Sequence, residues 1–315
     1  MLRKAPSHNL AVGLAFLVTF LWSTSWVLIK FGLENVPALT FAGLRYVLAT
    51  FCLLPFALHG EGGAAIGRLS RNEWGNLILL GVVLIAVTQG AQYVSLSLLP
   101  AITTSLVLNF TAPITALLGL WLLREHPGVQ QWAGLTLFMG GIGLYFYPVA
   151  LPSDVWLGLA VAGLAVIGNS VATVMMRAIN RTGSIPPQVT TAVSMGVGGF
   201  LMLAAGLIFE PAPLLGWKEW GIIAWLALVN TAFTFTLWNH TLRTLSAMES
   251  SIINNTMTIQ IAILAWIFLG ERLNAQTGAG LALAALGAAL VQLHRRGAAE
   301  AVAPGGVQPS LRPKS

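Results

Sequence analysis

Apolar residues follow one another along this chain in blocks of roughly twenty, and the segments between blocks hold most of its charges. An α-helix needs about 20 mainly apolar residues to cross about 30 Å of hydrocarbon. Ten blocks approach or meet that length: Leu10–Gly32, Ala38–Leu58, Trp74–Leu98, Ala101–Leu123, Gln131–Tyr147, Val155–Ile179, Val189–Phe209, Trp220–Arg243, Ala247–Gly270 and Ala275–Leu293. The pattern predicts an all-α membrane protein of ten transmembrane helices. Pro37, Pro100, Pro127, Pro152, Pro186 and Pro187 punctuate the turns, since proline neither continues nor readily initiates a helix interior. Most connections are short, so successive helices are expected to be antiparallel neighbours. Arg3 and Lys4 resemble the start of a signal peptide, but Leu10–Ile29 runs twenty residues without a charge, longer than a typical signal core. A retained first helix is expected, behind a short cytoplasmic arm at residues 1–9. From Gly297 the chain is rich in Ala, Gly and Pro without periodicity, so residues 297–315 are expected to be a disordered cytoplasmic tail.

Displacing the chain by 146 residues, Ala101 onto Ala247, aligns the third to fifth blocks with the eighth to tenth. Glu73-Trp74-Gly75 then meets Glu219-Trp220-Gly221, Ser105 and Asn109 meet Ser251 and Asn255, and Glu125, Gly134 and Gly141 meet Glu271, Gly280 and Gly287. Leu on Leu means little in so apolar a chain, whereas Glu, Trp, Asn and Gly at one fixed offset mark a repeat. The first two blocks of each half match more weakly, Pro37 falling near Pro186 only with a shifted register. Residues 10–147 and 155–293 therefore read as two five-helix repeats. Five is odd, so the second copy starts on the opposite side of the membrane. Inverted repeats of this kind place a site near the bilayer midplane and expose it alternately to each side.

Composition agrees with a lipid solvent. Only 8% of residues are charged, against about 25% in a soluble domain, and mean hydropathy is +0.79. The net charge of +6 forms no basic patch interleaved with aromatics, so a nucleic-acid partner is not expected. With an inside N-terminus, twelve of the 16 Lys and Arg gather at inner ends, Arg68, Arg71, Arg124 and Arg181 among them, while the outer loops keep only Lys218 and Arg272. Both termini are therefore expected in the cytoplasm, in a bacterial inner membrane. Cys52 is the single cysteine, so neither a disulfide framework nor a Cys-based metal site is available.

Leu21-Trp22-Ser23-Thr24-Ser25, Leu44-Arg45-Tyr46, and the twin segments Leu123-Arg124-Glu125 and Leu269-Gly270-Glu271, each followed by a Gly-rich helix, resemble the EamA-type ten-helix members of the drug/metabolite transporter superfamily. The resemblance covers about residues 10 to 295. It implies a central cavity lined mainly by helices 1, 3, 4, 6, 8 and 9 and, in many members, export of amino acids or other metabolites. It carries no catalytic signature and calls for no cofactor. Where the first helix of the family usually reads Trp-Gly, this chain has Trp22-Ser23.

Polar groups in hydrocarbon must find partners inside the bundle or line a wet path. Near mid-depth lie Trp22, Ser23, Gln89, Gln92, Asn109, Asn169, Asn230, Asn254, Asn255 and Gln260, each either interhelical glue or part of a substrate path. Asn109 and Asn255 stand at equivalent places and are expected to face each other, gripping substrate or steadying two helices, the first kinked at Pro113. Trp22, Tyr93 and Trp238 read as an aromatic wall for an apolar or cationic substrate, or as packing. Lys30 and Arg45 lie toward outer helix ends, where they either attract a substrate carboxylate or snorkel and pair with Glu34, the simpler reading. His240 is the one in-span group able to titrate near neutral pH. No Asp or Glu falls clearly inside a span, so a carboxylate proton relay has no evident carrier. Facilitated diffusion, substrate exchange or coupling through the substrate's own charge is expected instead. The small residues of helices 5 and 10 point to scaffold packing or a homodimer contact.

An intramembrane enzyme would need a nucleophile with its base, an acid pair or a His-Glu-x-x-His metal motif, and none is visible. A channel usually needs a filter and oligomeric symmetry. A receptor or complex subunit lacks any soluble domain here to support it. The sequence therefore reads as a carrier of a small molecule in the lipid bilayer, with no catalytic and no metal-binding residues.

Overall fold

The computed structural model describes residues 6–58, 61–111, 114, 129–147, 155–182, 185–213, 215–241, 244–245 and 247–301. Among the described residues all regular structure is helical. The helices are α1 (His8–Leu33), α2 (Ala38–Leu58), α3 (Arg71–Leu98), α4 (Ala101–Leu108), α5 (Val129–Phe146), α6 (Val155–Thr182), α7 (Pro187–Phe209), α8, α9 (Ala247–Leu269) and α10 (Ala275–Ala301). The eighth, α8, comprises Trp217–Ala227, Leu228–Phe233 and Thr234–Thr241, and a short helix, Glu61–Ile66, precedes α3. Six of these are long and apolar enough to cross a membrane, and Trp132–Phe146, Thr256–Leu269 and Ala275–Leu290 are shorter apolar helices. The C-terminal part of the expected fourth span, with Pro113, lies outside the described residues, as do Arg124 and Glu125.

Helix ends show why some expected boundaries move. Ser70 caps α3 by accepting from Glu73 N while Glu73 reaches back to Ser70 N, so the helix begins three residues before Trp74. Its repeat mate Glu219 accepts from Gly216 N at 3.0 Å and starts α8 at Trp217. Pro187, expected in a turn, is the first residue of α7, a position where the missing N–H costs nothing. At the other end of the chain, α10 continues to Ala301, beyond Leu293 and into the expected tail. Ala298, Ala299, Glu300 and Ala301 are strong helix formers, and here local propensity outweighs composition.

The packing has internal two-fold logic. The pairs α1 with α8 and α1 with α9 have the mates α6 with α3 and α6 with α4. Likewise α2 with α8 is matched by α7 with α3, while α2 packs on α7 and α5 on α10. In these last two pairs the equivalent helices run antiparallel. Along α2 and α7, Gly43 meets Leu203, Thr50 meets Gly196 and Thr40 meets Gly206; along α5 and α10, Gly141 meets Gly280 and Phe138 meets Gly287. Glycine is required at these crossings. A Cβ on Gly43 would stand 2.5 Å from Leu203 Cα, and one on Gly280 would stand 2.7 Å from Tyr145 N. Gly141, Gly280 and Gly287 are thus consumed by the packing of α5 on α10, which fits the scaffold reading, whereas Gly140, Gly143 and Gly278 face open space. The small-residue face lets two backbones approach where side chains would hold them apart.

Two carboxylates tie the bundle together at helix starts. Gly270 takes φ 66°, a left-handed turn that only glycine adopts freely, and directs Glu271 to the start of α4. There its oxygens accept from Ala101 N at 2.5 Å and Ile102 N at 2.9 Å. Glu210, just beyond α7, accepts from Leu39 N, Thr40 N and Thr40 Oγ1, each at 2.8 Å, at the start of α2. Large apolar side chains such as Phe56, Leu207, Ile208, Phe209 and Ile267 face outward, a belt that only lipid or a partner would cover. Trp132, Trp156 and Trp217 are exposed near helix starts, the level where aromatic rings meet headgroups.

Candidate functional site

Both α3 and α8 change to π-helical winding in mid-course, at Gly81–Gln89 and Leu228–Phe233. The repeat offset superposes the two segments, so each copy changes winding at the same place in its third helix. A π segment leaves backbone groups partly unpaired, and such bulges gather at functional sites. Hydroxyls fill the gap here: Thr88 Oγ1 donates to Val83 O at 2.7 Å and Thr231 Oγ1 donates to Leu226 O at 2.8 Å. Nothing in the apolar pattern signals the change in winding, although Thr231 and Thr234, one turn apart in an apolar helix, were a visible hint.

Around these segments, polar side chains from opposite repeats meet. Trp22 Nε1 donates to Thr234 Oγ1 at 2.9 Å. Its ring lies 5.4 Å from Trp238 and 5.6 Å, edge-on, from Phe235. Asn230 is fully buried, donates to Leu21 O and to Thr24 Oγ1, and has no partner for its Oδ1 among the described residues. On the other flank of α1, the buried Ser23 hydroxyl lies 3.1 Å from Gln260 Oε1 and 2.8 Å from Thr19 O. Gln260 Nε2 returns a bond to Thr19 Oγ1 at 3.2 Å. Ser23 therefore holds α1 to α9.

Tyr93 stands apart from the expected aromatic wall. It is fully buried, packs edge-on against Phe41 at 5.6 Å, and accepts a hydrogen bond from Arg45 Nη1 at 2.9 Å. Arg45 Nε donates to Thr231 Oγ1 at 3.2 Å, and its Cζ lies 5.3 Å from the Tyr46 ring centre. Tyr46 OH in turn donates to Gln89 Oε1 at 2.9 Å. Arg45 is only 7% exposed, so the snorkelling expected of it, and its pairing with Glu34, are replaced by a buried cluster. The reason is geometric: α2 packs against α7, α3 and α8, and its half that carries Arg45 is mostly buried among them. Lys30 is half-buried near the end of α1. Glu34 is exposed at the end of α1.

Asn109 Nδ2 donates to Thr258 Oγ1 at 3.1 Å, joining α4 to α9 of the other repeat, whereas the side chain of Asn255 lies outside the described residues. Asn169 Nδ2 makes a long, 3.5 Å contact with Thr111 Oγ1. Gln92 is half-buried with no side-chain partner among the described residues. His240 is 7% exposed, and its Nδ1 has no partner among the described residues. The acids among the described residues sit at helix ends or in the short helix. Tyr46, Thr231, Thr234, Phe235 and Thr258 complete the clusters and were missed, because hydroxyls and aromatics in apolar helices usually satisfy themselves or pack.

These features define a polytopic helical membrane protein whose two halves are copies, with polar groups of both meeting between them. The chain belongs to the EamA-like transporter family, whose profile matches residues 9–147 and again 156–293. An uncharacterized transporter of Synechocystis is 26% identical over 259 residues, 75% of this chain and 76% of the relative. The S-adenosylmethionine/S-adenosylhomocysteine transporter of Chlamydia trachomatis is 27% identical over 84% of each chain. A probable amino-acid metabolite efflux pump of Escherichia coli is 34% identical over 41% of this chain and 40% of its own. One solved crystal structure shares the fold with TM-score 0.65 at 19% identity, covering 91% of this chain and 98% of the other.

Proposed function

We propose that this chain is a secondary carrier that exports a small metabolite, such as an amino acid or an amphipathic compound, by alternating access. Ten transmembrane helices form two inverted five-helix repeats, residues 10–147 and 155–293, in a bacterial inner membrane with both termini cytoplasmic. The observation that carries this reading is the convergence of Trp22 and Arg45 from one repeat with Thr231 and Thr234 from the other, beside equivalent π segments. Bonds across the repeat boundary are weak, about 0.6 to 2 kcal/mol each, so they can be exchanged as the halves rock. The π segments are the hinges at which α3 and α8 flex. Substrate is handled by Trp22, Ser23, Gln89, Gln92, Tyr93, Asn109, Asn169, Trp238 and Asn255. Relatives named for S-adenosylmethionine and for amino-acid metabolites support a solute of that size. The test is flux in proteoliposomes holding the purified protein, with solutes taken from a metabolite-resistance screen of an overexpressing strain. Saturable counterflow is expected, whereas ohmic single-channel currents would make the protein a pore.

A further inference from the structure

Among the described residues, the Arg45 guanidinium has no counter-charge. It has five N–H donors, and its partners among the described residues are the neutral Tyr93 and Thr231 hydroxyls and the face of Tyr46. Three of the described acids are committed elsewhere: Glu210 to the start of α2, Glu219 to Asn35 and Gly216, Glu271 to the start of α4. Burying a cation without an anion is expensive, so a purely structural role would favour a neutral residue there. Among the described residues, Nη2 has no hydrogen-bond partner.

The repeat sharpens the point. At the places equivalent to Thr231 and Gln89 the other half has Ile85 and Phe235, and α7, the mate of α2, contains no Lys or Arg. A cation needed to build the fold would be expected in both copies. Its presence in one copy belongs to something that breaks the symmetry, as a bound solute does.

We infer that Arg45, held by Tyr93 and Thr231, anchors an anionic oxygen group of the transported solute, which is a small carboxylate with an apolar body. This rests on the carrier reading above. One guanidinium matches one carboxylate, in a planar two-point contact that Nη2 and the remaining N–H of Nη1 can offer. The apolar end is defined by the same strip of α8. Thr234 Oγ1 donates to Thr231 O at 3.3 Å and accepts from Trp22, whose ring meets Phe235 and Trp238. From Thr231 to Trp238 is two helical turns, about 10 Å, the span left for the body of the solute. Two hydroxyl contacts keep the guanidinium pointed along that strip when the site is empty.

The test uses the full chain in lipid nanodiscs, with 3-phenylpropanoate and indole-3-acetate as probes beside their uncharged amides, and binding read by calorimetry and thermal shift. The carboxylates are expected to bind, and the amides on the order of tenfold more weakly or worse. Arg45→Lys should keep part of that preference. Arg45→Gln should erase it, and the milder Tyr93→Phe should reduce it. Equal binding of acids and amides, no binding of either acid, or a preference surviving Arg45→Gln would each overturn the assignment. The wild-type acid-to-amide comparison decides the matter even where a variant fails to fold. Saturable counterflow of a neutral or cationic solute alone would sink the carboxylate assignment and leave the carrier standing. Absence of saturable exchange for every solute would instead remove the carrier reading.

Discussion

Glu271 offers the sharpest test of how the two repeats hold each other. Its carboxylate lies in one repeat and accepts the first two N–H groups of α4 in the other. Glu271→Ala leaves both donors without a partner at a half-buried helix start. Losing a helix cap costs about 0.5 to 2 kcal/mol, and a hydrogen bond to a charged group is worth about 1.5 to 3 kcal/mol. The two bonds share one carboxylate and are not additive, so the expected loss is about 2 to 4 kcal/mol. Glu271→Gln keeps one acceptor oxygen and should lose roughly half as much. Thermal unfolding of the purified protein in one detergent would order the variants as wild type, Gln, then Ala, several degrees apart. Glu210→Ala should fall near Glu271→Ala, since Glu210 caps α2 in the same way. Glu34→Ala, at an exposed acid, should melt with the wild type. If Glu271→Ala melts there too, the cap does not bind the halves and the reasoning fails.

Gly280→Leu should abolish folded yield, because its Cβ would stand 2.7 Å from Tyr145 N, whereas Gly278→Leu meets nothing within 4 Å and should be tolerated. Fluorescence-detected size exclusion of the two variants checks this. Trp22→Phe keeps the ring but loses the bond to Thr234, and counterflow should slow several-fold with the melting point nearly unchanged. Asn109→Ala should impair transport without abolishing expression. A double-mutant cycle with Thr258→Val should return a coupling of about 0.6 kcal/mol, and zero coupling would deny the contact between α4 and α9. His240→Ala should leave any pH dependence of flux intact, because the acids among the described residues lie at helix ends or in the short helix. A flattened pH profile would give His240 a part in transport.

The apolar blocks, the 146-residue repeat and the family were legible in the sequence for one physical reason. Lipid forces every spanning segment to satisfy its own backbone, so helices announce themselves by length and composition alone. The Glu and Gly of the repeat recur because both copies solve the same problem: Glu73 and Glu219 each start a helix, and Gly141 and Gly287 each pass a backbone. Tertiary structure alone decided what each polar residue does. Arg45 reads from its position as a snorkelling cation, and only the packing of α2 against three neighbours turns it inward onto Tyr93. Tyr93 reads as part of an aromatic wall with Trp22 until the crossing of α3 and α2 takes it to Arg45 instead. The π winding of α3 and α8 depends on backbone bonds and leaves no trace in apolar periodicity. Hydrophobic pattern reports only the contrast between residue and solvent, while which two polar groups meet depends on helix rotation and crossing, which packing of the whole bundle sets.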